Sequence, residues 1–173
     1  MDKKLFFALV SVCIFAHIIR SVYEILKHKK ILKPTKLTFV IVFTDMALLW
    51  VSWFALCTHD IYKIDLAVGI RYLGISLVGI GISVFFVALF TIKSLENHKG
   101  DLMTKGIYSI IRHPMYLGFI LWLIGFPIFS GALFSFILSF LFIANILFWR
   151  YLEEKELEER FVAYKDYKKT TIF

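Results

Sequence analysis

Lys105-Gly-Ile-Tyr-Ser-Ile-Ile-Arg-His-Pro-Met-Tyr-Leu-Gly118 gathers Arg, His, Pro and two tyrosines beside glycines in a chain that is otherwise mostly apolar. A residue before proline is pushed out of the helical region, whereas proline itself is welcome at a first helical position. A helix is therefore expected to start at Pro114. The N–H groups of Met115 and Tyr116 would point out of its mouth, and the positive end of its dipole would favour an anion there. Arg112 and His113 are expected to add positive charge at the same spot.

From Pro114 to Tyr151 the chain stays apolar for 38 residues. As one helix that run would measure about 57 Å, nearly twice the ~30 Å of a bilayer core, so it must turn back. Pro127 and the Ser130-Gly131 pair mark the turn. The expectation is a tight hairpin of two spans, Pro114 to Ser130 and Ala132 to Tyr151.

The preceding chain supplies three further spans. Leu5 to Leu26 is the first, with Arg20 near its end, where a long side chain can reach the interface. Leu37 to Cys57 is the second and carries Asp45, a lone carboxylate expected to face the bundle interior with a partner. Gly69 to Ile92 is the third. Its glycines Gly69, Gly74, Gly79 and Gly81 are expected to let another helix approach closely. The first apolar run is long, lacks a small-residue cleavage site and carries His17 and Arg20, so it is expected to be retained as a span.

Composition agrees. Of 173 residues, 60% are hydrophobic and 18% aromatic, too apolar for an ordinary soluble core. The fold class is all-α: a polytopic membrane helix bundle of about five transmembrane helices, with a C-terminal hairpin and an amphipathic tail over Leu152–Phe173 that rests on the membrane face or covers the preceding loop. Residues 1–92 form the three N-terminal spans, and residues 93–173 the catalytic region.

The net charge of +7 could suggest nucleic acid, but the basic residues lie between apolar runs and no nucleic-acid signature accompanies them. They read as topology signals and contacts with membrane lipids. The Lys27–Lys36 linker, the Lys93–Arg112 loop and the tail hold most of the 20 Lys and Arg residues, against Lys3, Lys4 and Lys63 across the membrane. By the positive-inside rule the basic side, with the C-terminus, is cytoplasmic and the N-terminus lies opposite. Cys13 and Cys57 match no redox or metal spacing, and five scattered histidines make no metal motif. No internal repeat suggests a transporter.

A hairpin makes its two open ends neighbours. The Gly106–Gly118 stretch and Arg150-Tyr-Leu-Glu-Glu154 should therefore share one pocket, with Arg150 and Glu154 on one helix face and Glu153 rotated by about 100° from Glu154. Without a further signal these residues could be interface anchors, and Glu153 to Glu159 a solvated, salt-bridged face.

The residues Gly106-Ile-Tyr108, Arg112-His-Pro-Met-Tyr-Leu-Gly118, Arg150-x-x-Glu153-Glu154, Leu157 and Phe161-x-x-Tyr164-x-x-Tyr167, in that order and spacing, resemble the integral-membrane methyltransferases that include isoprenylcysteine carboxyl methyltransferase and phospholipid methyltransferases. The likeness covers the last 75 or so residues. It implies S-adenosylmethionine as methyl donor and a lipophilic acceptor entering from the bilayer. Carried onto this chain, Gly106, Tyr108, His113, Tyr116, Gly118 and Glu153 would bind the cofactor. Arg150 would hold the acceptor oxygen or balance its charge, and Glu154 would orient Arg150 or act as a base. Arg112, Tyr164 and Tyr167 would contact the acceptor. Two other readings compete: a nicotinamide-dependent membrane reductase of the sterol reductase type, whose larger span count fits poorly, and a small membrane scaffold.

Overall fold

The computed structural model describes residues 3–33, 35–94 and 102–173. Part of the Lys93–Arg112 loop, including Lys99 and Gly100, lies outside them. Helix α1 spans Lys3–His28, α2 Lys36–Thr58, α3 Val68–Ser94, α4 Pro114–Ser130, α5 Leu133–Arg160 and α6 Tyr164–Thr170. A short 3₁₀ turn, Gly106–Ser109, precedes α4. Helices α1, α2, α3 and α5 are long and apolar enough to cross a membrane. Helix α4 has 17 residues and so measures only about 26 Å, a little under the hydrocarbon thickness.

Helix α4 sits in the middle. It packs on α2, α3 and α5, while α1 packs on α2 and α5. The buried core runs between them: Phe6 and Cys13 from α1, Leu49 and Trp53 from α2, Trp122 and Leu123 from α4, Ile146 and Trp149 from α5. On the lipid side large apolar groups such as Phe15, Phe43, Phe90 and Leu141 stay exposed, as a bilayer permits.

The α3–α4 seam is the most extensive helix contact, and glycine makes it possible. A Cβ on Gly81 would lie 2.7 Å from the Gly118 carbonyl, and one on Gly125 would lie 2.6 Å from the Gly74 carbonyl. The two pairs run antiparallel at the same seven-residue spacing, so both helices present a small residue every second turn to the same line. Of the four α3 glycines, Gly74 and Gly81 do this packing, whereas Gly69 and Gly79 face open space.

Two stretches differ from expectation. The change to charged residues at Leu152 does not end the second hairpin helix: α5 continues to Arg160, because Glu, Lys, Leu and Arg are all good helix formers. The tail helix shrinks accordingly to Tyr164–Thr170. Asp45 is buried, yet neither carboxylate oxygen accepts a hydrogen bond from a described residue. The expected partner is a charge and not a hydrogen bond: the Arg20 guanidinium acts on the carboxylate from α1.

The closed end of the hairpin is tied to the α2–α3 link. Gly131 ends α4 at φ 64°, the left-handed conformation that glycine adopts without strain. A Cβ there would sit 2.4 Å from the Ile64 carbonyl oxygen. Asp60, fully buried, accepts from the Ser135 backbone N–H and hydroxyl, each at 2.8 Å, and so caps α5 from another segment. Lys63 donates to the Ser130 carbonyl at 3.1 Å and the Cys57 carbonyl at 2.6 Å.

Gly125→Ala should therefore destabilise the fold by about 1–3 kcal/mol, the usual cost of overpacking, because its neighbours are backbone atoms that cannot swing away. Gly79→Ala should change stability by less than about 0.5 kcal/mol. Unfolding of the two variants in detergent, followed by circular dichroism, compares them directly.

Candidate functional site

Local sequence sets the two walls of the site. Gly106 opens the 3₁₀ turn at φ 58°, and a Cβ at this position would crowd Thr91 of α3 at 2.9 Å. The turn buries Tyr108. His113 follows as the residue before α4 with extended φ of −125°, and Pro114 takes the first helical position, as the pre-proline restriction dictates. Across from this mouth the last turns of α5 present Arg150, Glu153 and Glu154.

A third wall comes from the chain's last residues. Ile172 pairs with Ile111 in a parallel bridge. Its N–H donates to the Ile110 carbonyl at 2.9 Å, and its carbonyl accepts from the Arg112 N–H at 3.0 Å. The Phe173 carbonyl accepts from the His113 N–H at 3.3 Å, so the strap caps the α4 mouth. Arg112 holds the strap from the side: its guanidinium donates to the carbonyls of Lys168, at 3.0 Å, and Thr171. The Phe173 ring lies over the Arg150 guanidinium, 4.6 Å from carbon to centroid.

Glu154 is the hub. Its carboxylate is within 2.8 Å of Lys168 Nζ, 3.4 Å of Arg112 Nε, 3.5 Å of His113 Nε2 and 3.8 Å of Arg150 Nε. A carboxylate facing three permanent cations is held ionised, so its geometry suits orientation of Arg150 and Arg112 and opposes work as a base. Glu153, the residue before it, lies 3.9 Å from His113 Nδ1 and meets the Tyr116 hydroxyl, and its side chain is 37% exposed. The two neighbouring carboxylates thus differ sharply: one is committed, the other has acceptor capacity to spare.

The positive charge expected on His113 is corrected by its surroundings. Burial lowers its pKa to about 4 in spite of Glu154, and Arg150 and Arg112 push the same way. The ring is neutral at pH 7. It stacks on Tyr116, centroids 5.7 Å apart, and faces the Tyr164 hydroxyl at 3.4 Å.

Gly106, Tyr108, His113, Tyr116, Glu153, Arg150, Glu154, Arg112, Tyr164 and Tyr167 meet at this end of the molecule. Tyr164 is buried against His113, and the Tyr167 hydroxyl donates to the Tyr108 carbonyl. Burial raises the pKa of all three tyrosines Tyr108, Tyr164 and Tyr167, so they stay protonated. Gly118 does not join them: it faces Gly81 and Phe85 on α3, a packing position. Lys168, Thr171 and Phe173 do join, unforeseen. Nothing in a basic tail indicates that its lysine will reach back fourteen residues to Glu154.

Acid should expose the His113 burial. Its folded pKa lies below the ordinary 6.5, so below pH 6.5 the unfolded chain binds a proton that the folded chain refuses. Stability falls as pH drops and recovers as pH rises, by about 2 kcal/mol between pH 7 and pH 5. His113→Gln should flatten that part of the profile in denaturant titrations at each pH. Glu154→Ala, which takes the shared carboxylate from three cations but leaves Lys168 with Glu158 and Arg112 with the strap carbonyls, should cost at most about 3–5 kcal/mol in the same measurement at pH 7.

Comparison with known proteins finds similar sequences among methyltransferases. The protein-S-isoprenylcysteine O-methyltransferase of Schizosaccharomyces pombe is 29% identical over 85 residues, 45% of this chain and 34% of that protein. Protein-S-isoprenylcysteine O-methyltransferase B of Arabidopsis thaliana is 48% identical over 40 residues, 23% of this chain and 19% of that protein. The matches thus span about a fifth to a third of these relatives' lengths. No solved structure matches. The model of the phospholipid methyltransferase family matches residues 69–163, from the start of α3 through both walls of the site, which is more than half of the 173 residues, and the chain belongs to that family.

Proposed function

We propose that the protein is an S-adenosylmethionine-dependent membrane methyltransferase that acts on a lipophilic acceptor reaching the site from the bilayer, with the site and the C-terminus on the cytosolic side. The observation that carries the reading is the convergence of the α4 mouth and the α5 exit on one cluster, in a chain of the phospholipid methyltransferase family. Charge supports the orientation: Lys27, Lys30, Lys105, Arg112, Lys168 and Lys169 all belong to segments at this end of the spans.

The donor set fits the cofactor. S-adenosylmethionine supplies a methyl group on a positively charged sulfur. Glu153, half-exposed and engaged by Tyr116 and His113 alone on this side, retains acceptor capacity for ribose hydroxyls, whereas the oxygens of Glu154 face Lys168, Arg112 and Arg150. The faces of Tyr108 and Tyr116 suit a sulfonium, because an aromatic ring attracts a cation desolvated beside it. Neutral His113 suits the same cation better than an imidazolium would. The residues 93–173 are read as the catalytic region on this basis.

Methyl transfer needs in-line alignment more than acid or base strength, and positioning alone is worth up to about 7–11 kcal/mol. Arg150 is the residue placed to hold an acceptor oxygen. Glu154 fixes its guanidinium from behind, and the Phe173 ring screens it from water. Arg112, engaged by the strap, acts by keeping that cover in place.

Calorimetric titration of folded, detergent-purified protein with S-adenosylmethionine tests the reading, and absence of binding at millimolar cofactor would overturn it. Glu153→Ala should raise Kd by about tenfold or more, the usual scale for a lost hydrogen bond to a charged group. Arg150→Ala should lower turnover of an isoprenylcysteine or phospholipid acceptor more than it weakens cofactor binding.

A further inference from the structure

Away from this site, α1, α2, α4 and α5 enclose a cavity of about 10 Å³ in the bundle core, with His17, Met46, Leu49, Trp50, Trp122 and Trp149 among its walls. We propose that this cavity binds one ordered water molecule, which joins α2 to α1 inside the membrane-spanning bundle. None of the lining residues belongs to the methyl-transfer site, and the inference does not rest on that reading.

A chain of hydrogen bonds leads to the cavity from α5. The Trp149 indole N–H can only donate, and it reaches the Ser21 hydroxyl at 2.9 Å. That hydroxyl lies 2.9 Å from Asn145 Oδ1, and the Asn145 amide donates to His17 Nδ1 at 3.0 Å. An imidazole that accepts at Nδ1 carries its proton on Nε2. The chain therefore ends in an N–H group on a residue that is 4% exposed, and that group finds no acceptor among the described residues. The ring is held in this pose by Phe142 and Trp149, stacked at 3.8 Å and 5.4 Å between centroids.

A second donor is left in the same way on another helix. Trp50 of α2 also lines the cavity, and its buried indole N–H has no acceptor among the described residues. Phe85, Phe119 and Trp122 wedge its ring, with centroids 5.2 Å, 5.5 Å and 5.6 Å away. Buried donors without acceptors are rare enough to require an explanation, and the bilayer around the bundle offers no water to relieve them. Two such donors, on side chains that line one cavity, call for an acceptor between them.

The walls do not supply it. Leucine, isoleucine, phenylalanine and tryptophan side chains carry no accepting atom, Met46 offers only a weakly accepting sulfur, and Asp45 is not part of the lining. Size then decides among ligands: about 10 Å³ is on the order of the ~10–15 Å³ that one water needs, and it leaves no room for a lipid group. Charge agrees, because the lining holds no ionised side chain to balance an ion taken out of water. One water oxygen can accept from both donors. Its own hydrogens can turn toward the Met46 sulfur and the aromatic faces, which attract them weakly. The water would extend the hydrogen-bonded chain of α5 and α1 across to α2.

The test uses the full-length protein in deuterated lipid, with its histidines labelled with nitrogen-15. Solid-state NMR reads which ring nitrogen of His17 carries the proton and whether magnetisation reaches that proton from water. His17→Phe identifies the signal among the five histidines. The expected result is a proton on Nε2 with a water cross-peak, and loss of that cross-peak in Trp50→Phe. A proton on Nδ1, or an Nε2 proton with no water contact, would overturn the site. A cross-peak that survives unchanged in Trp50→Phe would overturn the bridge to α2.

Hydroxyl-radical labelling by X-ray radiolysis needs no variant. Radicals form from bound water where it sits, so Trp149, 1% exposed and on the lining, should be oxidised. Cys13, also 1% exposed but not on the lining, should be spared despite its reactive thiol. An unlabelled Trp149 would mean a dry cavity and would overturn the inference. Equal oxidation of Cys13 would mean general entry of water into the core and would overturn it as well.

Discussion

The Glu154 carboxylate ties together pieces of chain that lie far apart in sequence. Lys168 and the Arg112 guanidinium reach it from the strap and from the 3₁₀ turn, His113 from the α4 mouth, and Arg150 from one turn earlier on its own helix. Side-chain exposure of only 10% on the glutamate and on Arg112 makes these two charges costly unless they are paired. The cluster is therefore all or nothing: it assembles with the strap in place. A rigid wall results, and under the proposed function it would serve methyl transfer, whose acceleration comes largely from placement.

The difference between Glu153 and Glu154 follows from helix geometry. A rotation of about 100° per residue carries one carboxylate into the cation cluster and leaves the next on the rim, beside His113 and water. Two identical side chains thereby divide the labour. The buried one organises the protein, and the half-exposed one, beside Tyr116 and His113, is the one the proposed function gives to a ligand's hydroxyls. The neutral state of His113 fits this division, because an imidazolium would compete with Arg112 and Lys168 for Glu154.

The sequence made the spans, the hairpin and the meeting of its two ends legible, because each follows from a long-range constraint that tolerates no exception. Thirty-eight apolar residues cannot cross a bilayer once, and a proline after His113 can only start a helix there. What was not legible depended on pairing. Gly118 looks like part of the Arg-His-Pro motif, and only its match to Gly81, with Gly125 to Gly74 at the same spacing, shows that it serves the α3–α4 seam. That spacing was available as a signal. The charge of His113, the capping of α5 by Asp60 and the reach of Lys168 to Glu154 depend on burial and on neighbours distant in sequence, which no local pattern encodes.

The closed end of the hairpin explains why the site residues stand where they do. Both α4 and α5 are measured from the turn at Gly131, locked by Asp60, Lys63 and the Ile64 carbonyl. Helix α4 climbs 17 residues from that base to Pro114. At equal rise per residue α5 reaches the same height 17 residues after its start at Leu133, at Trp149. Arg150 is then level with the α4 mouth, and Glu153 and Glu154 stand one turn above it, at the height of Arg112 and His113 just outside the helix. The composition changes at that height, from Phe148 and Trp149 to Arg150 and the glutamates, because that is where α5 leaves the shelter of α4. An apolar turn on one face of the membrane thus sets the register of the charged cluster on the other. The 28-residue length of α5 exists to carry two carboxylates past the end of its shorter neighbour.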